Sequence, residues 1–264
     1  MTQPEESRHK ASKTKSVSKT LAILSTFDET TPMQRTSDIA MKLDMNISTV
    51  SRHLNTMLDW GFLERDDSTG FYYPGLEIVA LAGAALQNND VFRHAFPELQ
   101  RLSYKYGVHG HMGIPRKTEV AHLISSSSER TMELFIPMGH RQPMYCCAMG
   151  RALLAYMPYA KAQDILKNSD LQKRTPETKV DLWEISQELI HTKQKGYCLL
   201  LNELTEGKGS IAAPVFNRKR LPIAAVSVSA SAHSISQPQR ERELAKAVMA
   251  VAGKISGKLG YYPK

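Results

Sequence analysis

The segment Asp44-Met45-Asn46-Ile47-Ser48-Thr49-Val50-Ser51-Arg52-His53-Leu54-Asn55-Thr56-Met57-Leu58 constrains this chain more than any other stretch. Ile47, Val50, Leu54, Met57 and Leu58 recur at helical spacing and define one core-facing stripe. Asn46 stands just before that run, where its side chain can accept a bond from a first-turn N–H. The other face carries Ser48, Thr49, Ser51, Arg52, Asn55 and Thr56, with His53 beside the arginine as a further candidate contact. These are short hydrogen-bonding side chains around one guanidinium, with almost no acid. An ordinary solvated helix face would carry Glu and Lys. A face of this kind suits the DNA major groove, being slim enough to approach and able to pair with base edges and phosphates.

The flanks sharpen that reading. Thr36 to Leu43 has the pattern of a short helix, with Thr36 or Ser37 as N-cap, and Asp44 and Met45 leave only a tight connection to the next helix. Two short helices so joined, the second polar outside, form a helix-turn-helix. Downstream, Phe62 to Arg65 and Phe71 to Tyr73 are β-prone runs around the turn-forming cluster Asp66-Asp67-Ser68-Thr69-Gly70, which predicts a wing. Val17, Leu21, Leu24 and Phe27 predict a first helix covering the other two, ended by Thr30-Thr31-Pro32. Residues 16–75 thus read as an all-α winged helix-turn-helix with a small β-wing. Arg65 on the wing and Lys19 on the first helix join the candidate contacts to double-stranded DNA.

At 264 residues the chain is long for one domain and comfortable for two. No apolar run approaches the roughly 18 residues of a spanning helix, so no membrane partner is expected. Residues Met1 to Ser16 are polar and lack the apolar core of a signal peptide, and residues 1–15 read as a disordered tail. Three cysteines, two of them adjacent, cannot make a disulfide framework, and a reducing cytoplasm is the simplest inference. The net charge of +8 invites a nucleic-acid reading, but it lies in the wrong place. Residues 1–90 hold 9 Lys/Arg against 12 Asp/Glu, whereas residues 91–264 hold 25 against 14. The DNA reading therefore rests on the motif, helped locally by Lys10, Lys13, Lys15 and Lys19.

Beyond the wing, Leu76, Ile78, Val79, Leu81, Ala82, Ala85 and Leu86 make a helix over residues 76–90 too apolar for a solvated linker. Contact with a second subunit is the better expectation, since helix-turn-helix proteins usually read two half-sites. Gln87-Asn88-Asn89-Asp90 marks a domain boundary. A helix is expected from Val91 to Tyr106, then strands at Gly110 to Ile114, Glu119 to Ile124 and Glu133 to Ile136. Helices follow at Ala148 to Met157, Tyr159 to Leu166 and Leu182 to Lys193. Strands at Tyr197 to Leu201, Ser210 to Phe216 and Ile223 to Ser229 precede a last helix from about Gln239 to Leu259. Strands and helices without strict alternation predict α+β over residues 91–264, a mostly antiparallel sheet flanked by helices. The four serines at Ser125 to Ser128 read as a loop.

Ser48-Thr49-Val50-Ser51-Arg52, Trp60-Gly61-Phe62-Leu63-Glu64-Arg65 and Gly70-Phe71-Tyr72-Tyr73-Pro74-Gly75-Leu76 resemble the N-terminal domain of IclR-type transcriptional regulators. The resemblance continues in Pro143 to Ala155, in Gly196-Tyr197, Glu203 and Gly207, and in the strands Ile211 to Phe216 and Ala224 to Ser229. It spans roughly residues 16 to 260. It implies a GAF-like effector-binding domain and a homodimer, often paired into a tetramer. Three positions depart from the pattern: Leu200 where many members have Asp, Ser210 where many have Cys, and Ile47 where Lys is often seen.

The loop Tyr145 to Gly150 feeds a helix N-terminus whose free N–H groups suit a carboxylate, and Gly150 lets backbone approach closely. Ser227 and Ser229 point to one face of their strand. By periodicity alone their hydroxyls satisfy the core; the resemblance turns them toward a pocket. The expected effector is a small organic acid held by Tyr145, Cys146, Met149, Gly150, Glu203, Ser210, Ser227 and Ser229. Leu200, Met112 and Met149 would favour a hydrophobic or aromatic body. His109, His111, His122 and the cysteines match no zinc spacing, so no metal or other cofactor is expected. The rival classes are a hydrolase using Cys146 or Cys147 as nucleophile, and an architectural DNA-binding protein without effector. No Gly-x-Ser-x-Gly elbow, Walker loop or His-Glu-x-x-His supports an enzyme, and no catalytic residue is assigned.

Overall fold

Three helices and a two-stranded wing form around a small core. The computed structural model describes residues 14–128 and 136–262, and the chain divides into two units, Met1–Leu86 and Gln87–Lys264. In the first unit α1 (Lys15–Leu24), α2 (Thr36–Leu43) and α3 (Ile47–Asp59) precede the antiparallel pair β1 (Leu63–Arg65) and β2 (Tyr72–Pro74), followed by α4 (Leu76–Gln87). Ile23, Ile39, Ala40, Val50, Leu54, Met57, Leu63 and Tyr72 are buried in one cluster. Each fully buried aliphatic side chain here contributes about 1.5–3 kcal/mol, which fixes the three helices against one another.

Local chemistry sets the joints. Arg35, one residue earlier than expected, caps α2: its N–H donates to Asp38 Oδ2 at 3.0 Å. Asp44 takes the left-handed conformation (φ +50°) that lets α2 stop and α3 start within three residues. Asn46 Oδ1 then accepts from Ser48 N at 2.9 Å, the expected cap. In the wing, Asp66 Oδ1 accepts from Ser68 Oγ at 2.6 Å, Oδ2 from Thr69 Oγ1 at 2.7 Å and Oδ1 again from Ser68 N at 2.8 Å, which holds the Asp66 carboxyl down at about 2.

α1 differs from its expected register. It ends at Leu24, and its buried residue is Ile23, with Leu24 and Phe27 partly buried, while Val17 and Leu21 are 56% and 57% exposed. Apolar residues outside the buried stripe misled the spacing. The expected tail and the Lys10 and Lys13 arm fall outside the described residues, apart from positions 14 and 15.

The second unit is a six-stranded antiparallel sheet of order β5-β4-β3-β8-β7-β6. Its strands are β3 (His109–Arg116), β4 (Glu119–Ser126), β5 (Arg141–Pro143), β6 (Cys198–Leu201), β7 (Lys208–Phe216) and β8 (Pro222–Ser231). α5 (Asp90–Tyr106) and α10 (Pro238–Lys258) enclose a core on one face with Met112, Ile211, Ala213, Val226 and Val228. α6 (Ala148–Tyr156), α7 (Tyr159–Lys167) and α8 (Leu182–Lys195) enclose a second core with Val120, Leu200, Ala212 and Ala225. A short α9 (Ala232–Ile235) follows β8. Alternation along the strands sends neighbouring residues to opposite faces: Ala212 and Ala225 to one core, Ile211 and Val226 to the other. The strand expected over 133–136 falls, but for Ile136, outside the described residues. Ser125 and Ser126 prolong β4 rather than opening a loop, and β5 was not legible from the three residues that form it.

Candidate functional site

On α3, Ser48, Arg52, Asn55 and Thr56 are exposed, and Thr49 and Ser51 are half-buried beside them. Arg65 and Lys19 are exposed, and the Arg65 guanidinium lies 5.4 Å from the centre of the Tyr72 ring, which orients it on the wing. Two expectations are corrected. His53 is buried, and its Nδ1 shares a 2.9 Å hydrogen bond with Thr20 Oγ1, so it ties α3 to α1 instead of facing outward. Burial, then the charges of Arg52 and Lys19, lower its pKa and keep it neutral. Ile47 is no core residue: at the first turn of α3 it is 59% exposed, beyond the reach of the stripe that starts at Val50.

In the second unit, a cavity of about 130 Å³ opens between the sheet and the start of α6. Of the residues expected there, Cys146, Met149, Leu200, Glu203, Ser210, Ser227 and Ser229 line it. Pairing explains the convergence: Ser210 lies opposite Ser229 on β7 and β8, and Ser227 lies opposite His111 on β8 and β3. Ser227 is 3% exposed, faces the cavity and has no side-chain partner among the described residues. Cys147 caps α6, its sulfur accepting from Gly150 N at 3.3 Å, while Arg151 N donates to Cys147 O at 3.0 Å. The first-turn amides of Ala148 and Met149 remain, and both residues line the cavity.

Three expected residues do not line it. Met112 is fully buried in the core on the other face of the sheet, because it alternates with His111, whose ring does reach the cavity. Tyr145 is buried, its hydroxyl donating to Gln172 O at 2.6 Å. Gly150 is there for packing: a Cβ at this position would stand 2.3 Å from Met144 Cα. Gln142 from the short strand β5, Thr205 from a loop and Lys208 from the start of β7 also line the cavity, and no local spacing marks them. His111 and His122 line the cavity too, and the signal for them is period-2 alternation, with Met112 on β3 and along the buried strand β4.

Behind the cavity Arg151 is fully buried, and each of its guanidinium nitrogens has a partner. Its Nε donates to Tyr145 O at 2.7 Å, Nη1 to Glu188 Oε2 at 2.6 Å and Nη2 to Glu203 Oε2 at 2.6 Å. Lys179 completes the cluster through Glu188 and donates its backbone N–H to Glu203 Oε2 at 3.2 Å. Burial raises the Glu203 pKa and Arg151 opposes that shift. Arg151 is therefore spent on the protein and offers no charge to a ligand, whereas Lys208 does border the cavity. Burial also raises the thiol pKa of Cys146 and of Cys147, and that of Cys198 to about 12. A protonated, buried sulfur is a poor nucleophile, which removes the support for a cysteine hydrolase. Among the described residues no group of three or more His, Cys, Asp or Glu could hold a metal ion, and no helix is long and apolar enough to cross a membrane.

A winged helix-turn-helix unit with a second unit built around a cavity defines a class: DNA-binding regulators that answer to a ligand. Residues 16–67 match the IclR helix-turn-helix domain, and residues 83–257 match the family described as bacterial transcriptional regulator IclR C-terminal. The chain belongs to the IclR family of bacterial transcriptional regulators. It is 28% identical over 244 residues to the HTH-type transcriptional repressor AllR of Klebsiella pneumoniae, covering 92% of this chain and 89% of that one. The IclR transcriptional regulator of Alicyclobacillus acidocaldarius superposes with a TM-score of 0.85 at 25% identity, over 94% of this chain and 100% of the other. An IclR homologue of Microbacterium hydrocarbonoxydans, solved with 4-hydroxybenzoate, superposes with a TM-score of 0.80 at 22% identity, over 92% and 98%. The protein is thus a DNA-binding transcriptional regulator with a C-terminal effector-binding domain, and not an enzyme.

Proposed function

We propose that this chain regulates a catabolic operon and senses a small organic acid with a hydrophobic or aromatic body in the cavity beside α6. One observation carries the reading: Ala148 and Met149 at the α6 N-terminus and the serines Ser227 and Ser229 line one cavity, and the Ser227 hydroxyl has no protein partner there. A hydroxyl that faces a cavity and is not used by the protein is free to bond a ligand there. A carboxylate accepting from such donors forms charge-assisted hydrogen bonds and gains from the helix N-terminus. Met149, Leu200 and Ile136 supply apolar wall, and a cavity of about 130 Å³ is close to the roughly 150 Å³ known to take one benzene ring. The homologue solved with 4-hydroxybenzoate supports the same size and charge.

Residues 16–75 read the operator through Ser48, Thr49, Ser51, Arg52 and Asn55 on α3, with Lys19 and Arg65 on phosphates. Residues 76–90 hold a homodimer and residues 91–264 sense the ligand, the dimers pairing into tetramers in the fuller assembly. α4 supports the dimer: none of its residues is buried, and Leu76, Val79 and Leu81 are 72%, 63% and 56% exposed. Calorimetry with aromatic and aliphatic carboxylates against the wild type and the Ser227→Ala/Ser229→Ala protein tests the pocket. The double variant should bind the tightest carboxylate at least about tenfold more weakly, as expected for losing hydrogen bonds to a charged group. If the tightest binder is uncharged, or the double variant binds as well as wild type, the pocket is misplaced.

A further inference from the structure

We propose that His111 sets the hydrogen-bond polarity of the cavity: as a neutral Nε2–H tautomer it donates to Ser229, so that Ser229 turns its own proton toward the ligand. The inference rests on the pocket proposed above and adds a specificity-determining residue to it.

His111 is 3% exposed and lies between two hydroxyls from different strands. Its Nε2 is 2.9 Å from Ser229 Oγ on β8, and its Nδ1 is 3.3 Å from Ser125 Oγ on β4. Ser229 lines the cavity and Ser125 does not, so the ring connects a cavity hydroxyl to one outside it. A neutral imidazole has one donor nitrogen and one acceptor nitrogen. The two serines must therefore play opposite roles: if Ser229 accepts, Ser125 donates. A hydroxyl that accepts from a ring N–H keeps its hydrogen for another partner, and for Ser229 that partner is in the cavity. In the opposite tautomer Ser229 would spend its hydrogen on the ring and present only lone pairs, which repel a carboxylate.

The surroundings keep the ring neutral. The titratable groups around it are His109 on the same strand, with ring centres 6.4 Å apart, and His122 on β4, with ring centres 5.6 Å apart. Cys146, Glu203 and Lys208 border the same cavity. Burial first, then His122 and His109, hold the His111 pKa at about 3. The cavity side of the ring thus acts as a fixed donor relay rather than as a charge. A carboxylate is favoured over an isosteric amide because Ser229, bonded by the ring, turns its own proton inward.

Nitrogen-15 NMR of histidine-labelled full-length protein without ligand tests this directly. His111 should show the neutral Nε2–H pattern from pH 8 down to about 5, and Ser229→Ala should shift its Nε2 resonance while leaving the other histidines in place. A His111 that titrates near its ordinary value, or that occupies the Nδ1–H tautomer, overturns the proposal. A second arm compares benzoate with benzamide by calorimetry. Wild type should prefer benzoate; His111→Gln, which keeps an amide N–H near the Nε2 position, should retain the preference; Ser229→Ala, which removes the inward proton, should lose it by about tenfold. A Ser229→Ala protein that folds and keeps the full benzoate preference also overturns it. If wild type binds neither probe, the pocket reading fails, while the tautomer measurement still decides the role of His111.

Discussion

Arg52 carries the fixed positive charge on the outer face of α3, and it is exposed there between Ser48 and Thr56. Arg52→Ala should weaken operator binding by about 1–3 kcal/mol if the guanidinium reads a guanine. Fluorescence anisotropy on operator and on random DNA separates two roles: an equal loss on both marks a phosphate contact, and no loss on either excludes α3 from the groove. His53 was predicted beside it and is instead a joint between helices, because its side of α3 packs on Thr20. His111 gives the pH dependence. Its folded pKa of about 3 lies below the ordinary 6.5, so below pH 6.5 the unfolded chain binds the extra proton. The contribution of the neutral ring to stability is complete above pH 6.5 and is lost as pH falls from 6.5 toward 3. Melting of the wild type followed from pH 7.5 to 4.5 should show a falling Tm, and His111→Gln should flatten the fall. Parallel curves for the two proteins would assign the pH dependence to other groups.

α4 is the element whose sequence and surroundings disagree most. Its twelve residues are largely apolar, yet none is buried within the chain. Leu81→Asp would bury an unpaired carboxylate at the proposed dimer contact, at a cost of about 3–5 kcal/mol. Sedimentation should show the dimer dissociating at micromolar concentration, and an unchanged dimer would refute that role for α4. The contrast with α1 shows what periodicity can reveal. The motif elements α2, α3 and the wing were legible because caps, turn residues and spacing all agree in Asn46, Asp44 and Asp66. On α1, apolar residues occupy two faces, so spacing alone chose Val17 and Leu21 over the buried Ile23. On β3, Met112 and His111 alternate, and chemical plausibility selected the methionine where the pleat turns the histidine inward. The cavity contributions of Thr205, Lys208 and Gln142 depend on strand ends meeting across the sheet, which no local pattern encodes.

Taken whole, the molecule separates reading from sensing. Among the described residues, the first unit holds a helix-turn-helix core of eight buried apolar side chains, and the second holds two cores on opposite faces of one sheet with the cavity at the start of α6. The excess positive charge lies in residues 91–264, so net charge is no guide to the DNA-binding unit in this chain. Regulation requires that a ligand in the second unit change the DNA affinity of the first, a coupling typically worth about 1–3 kcal/mol, or 5- to 150-fold. The decisive measurement is operator binding by anisotropy, on a site mapped by footprinting beside the gene, with the tightest-binding aromatic carboxylate titrated against wild type and Ser227→Ala/Ser229→Ala. Operator affinity should shift at least about fivefold in wild type and stay constant in the double variant. An operator affinity indifferent to the ligand, or a shift that survives in the double variant, would contradict a regulator that senses an organic acid through this cavity.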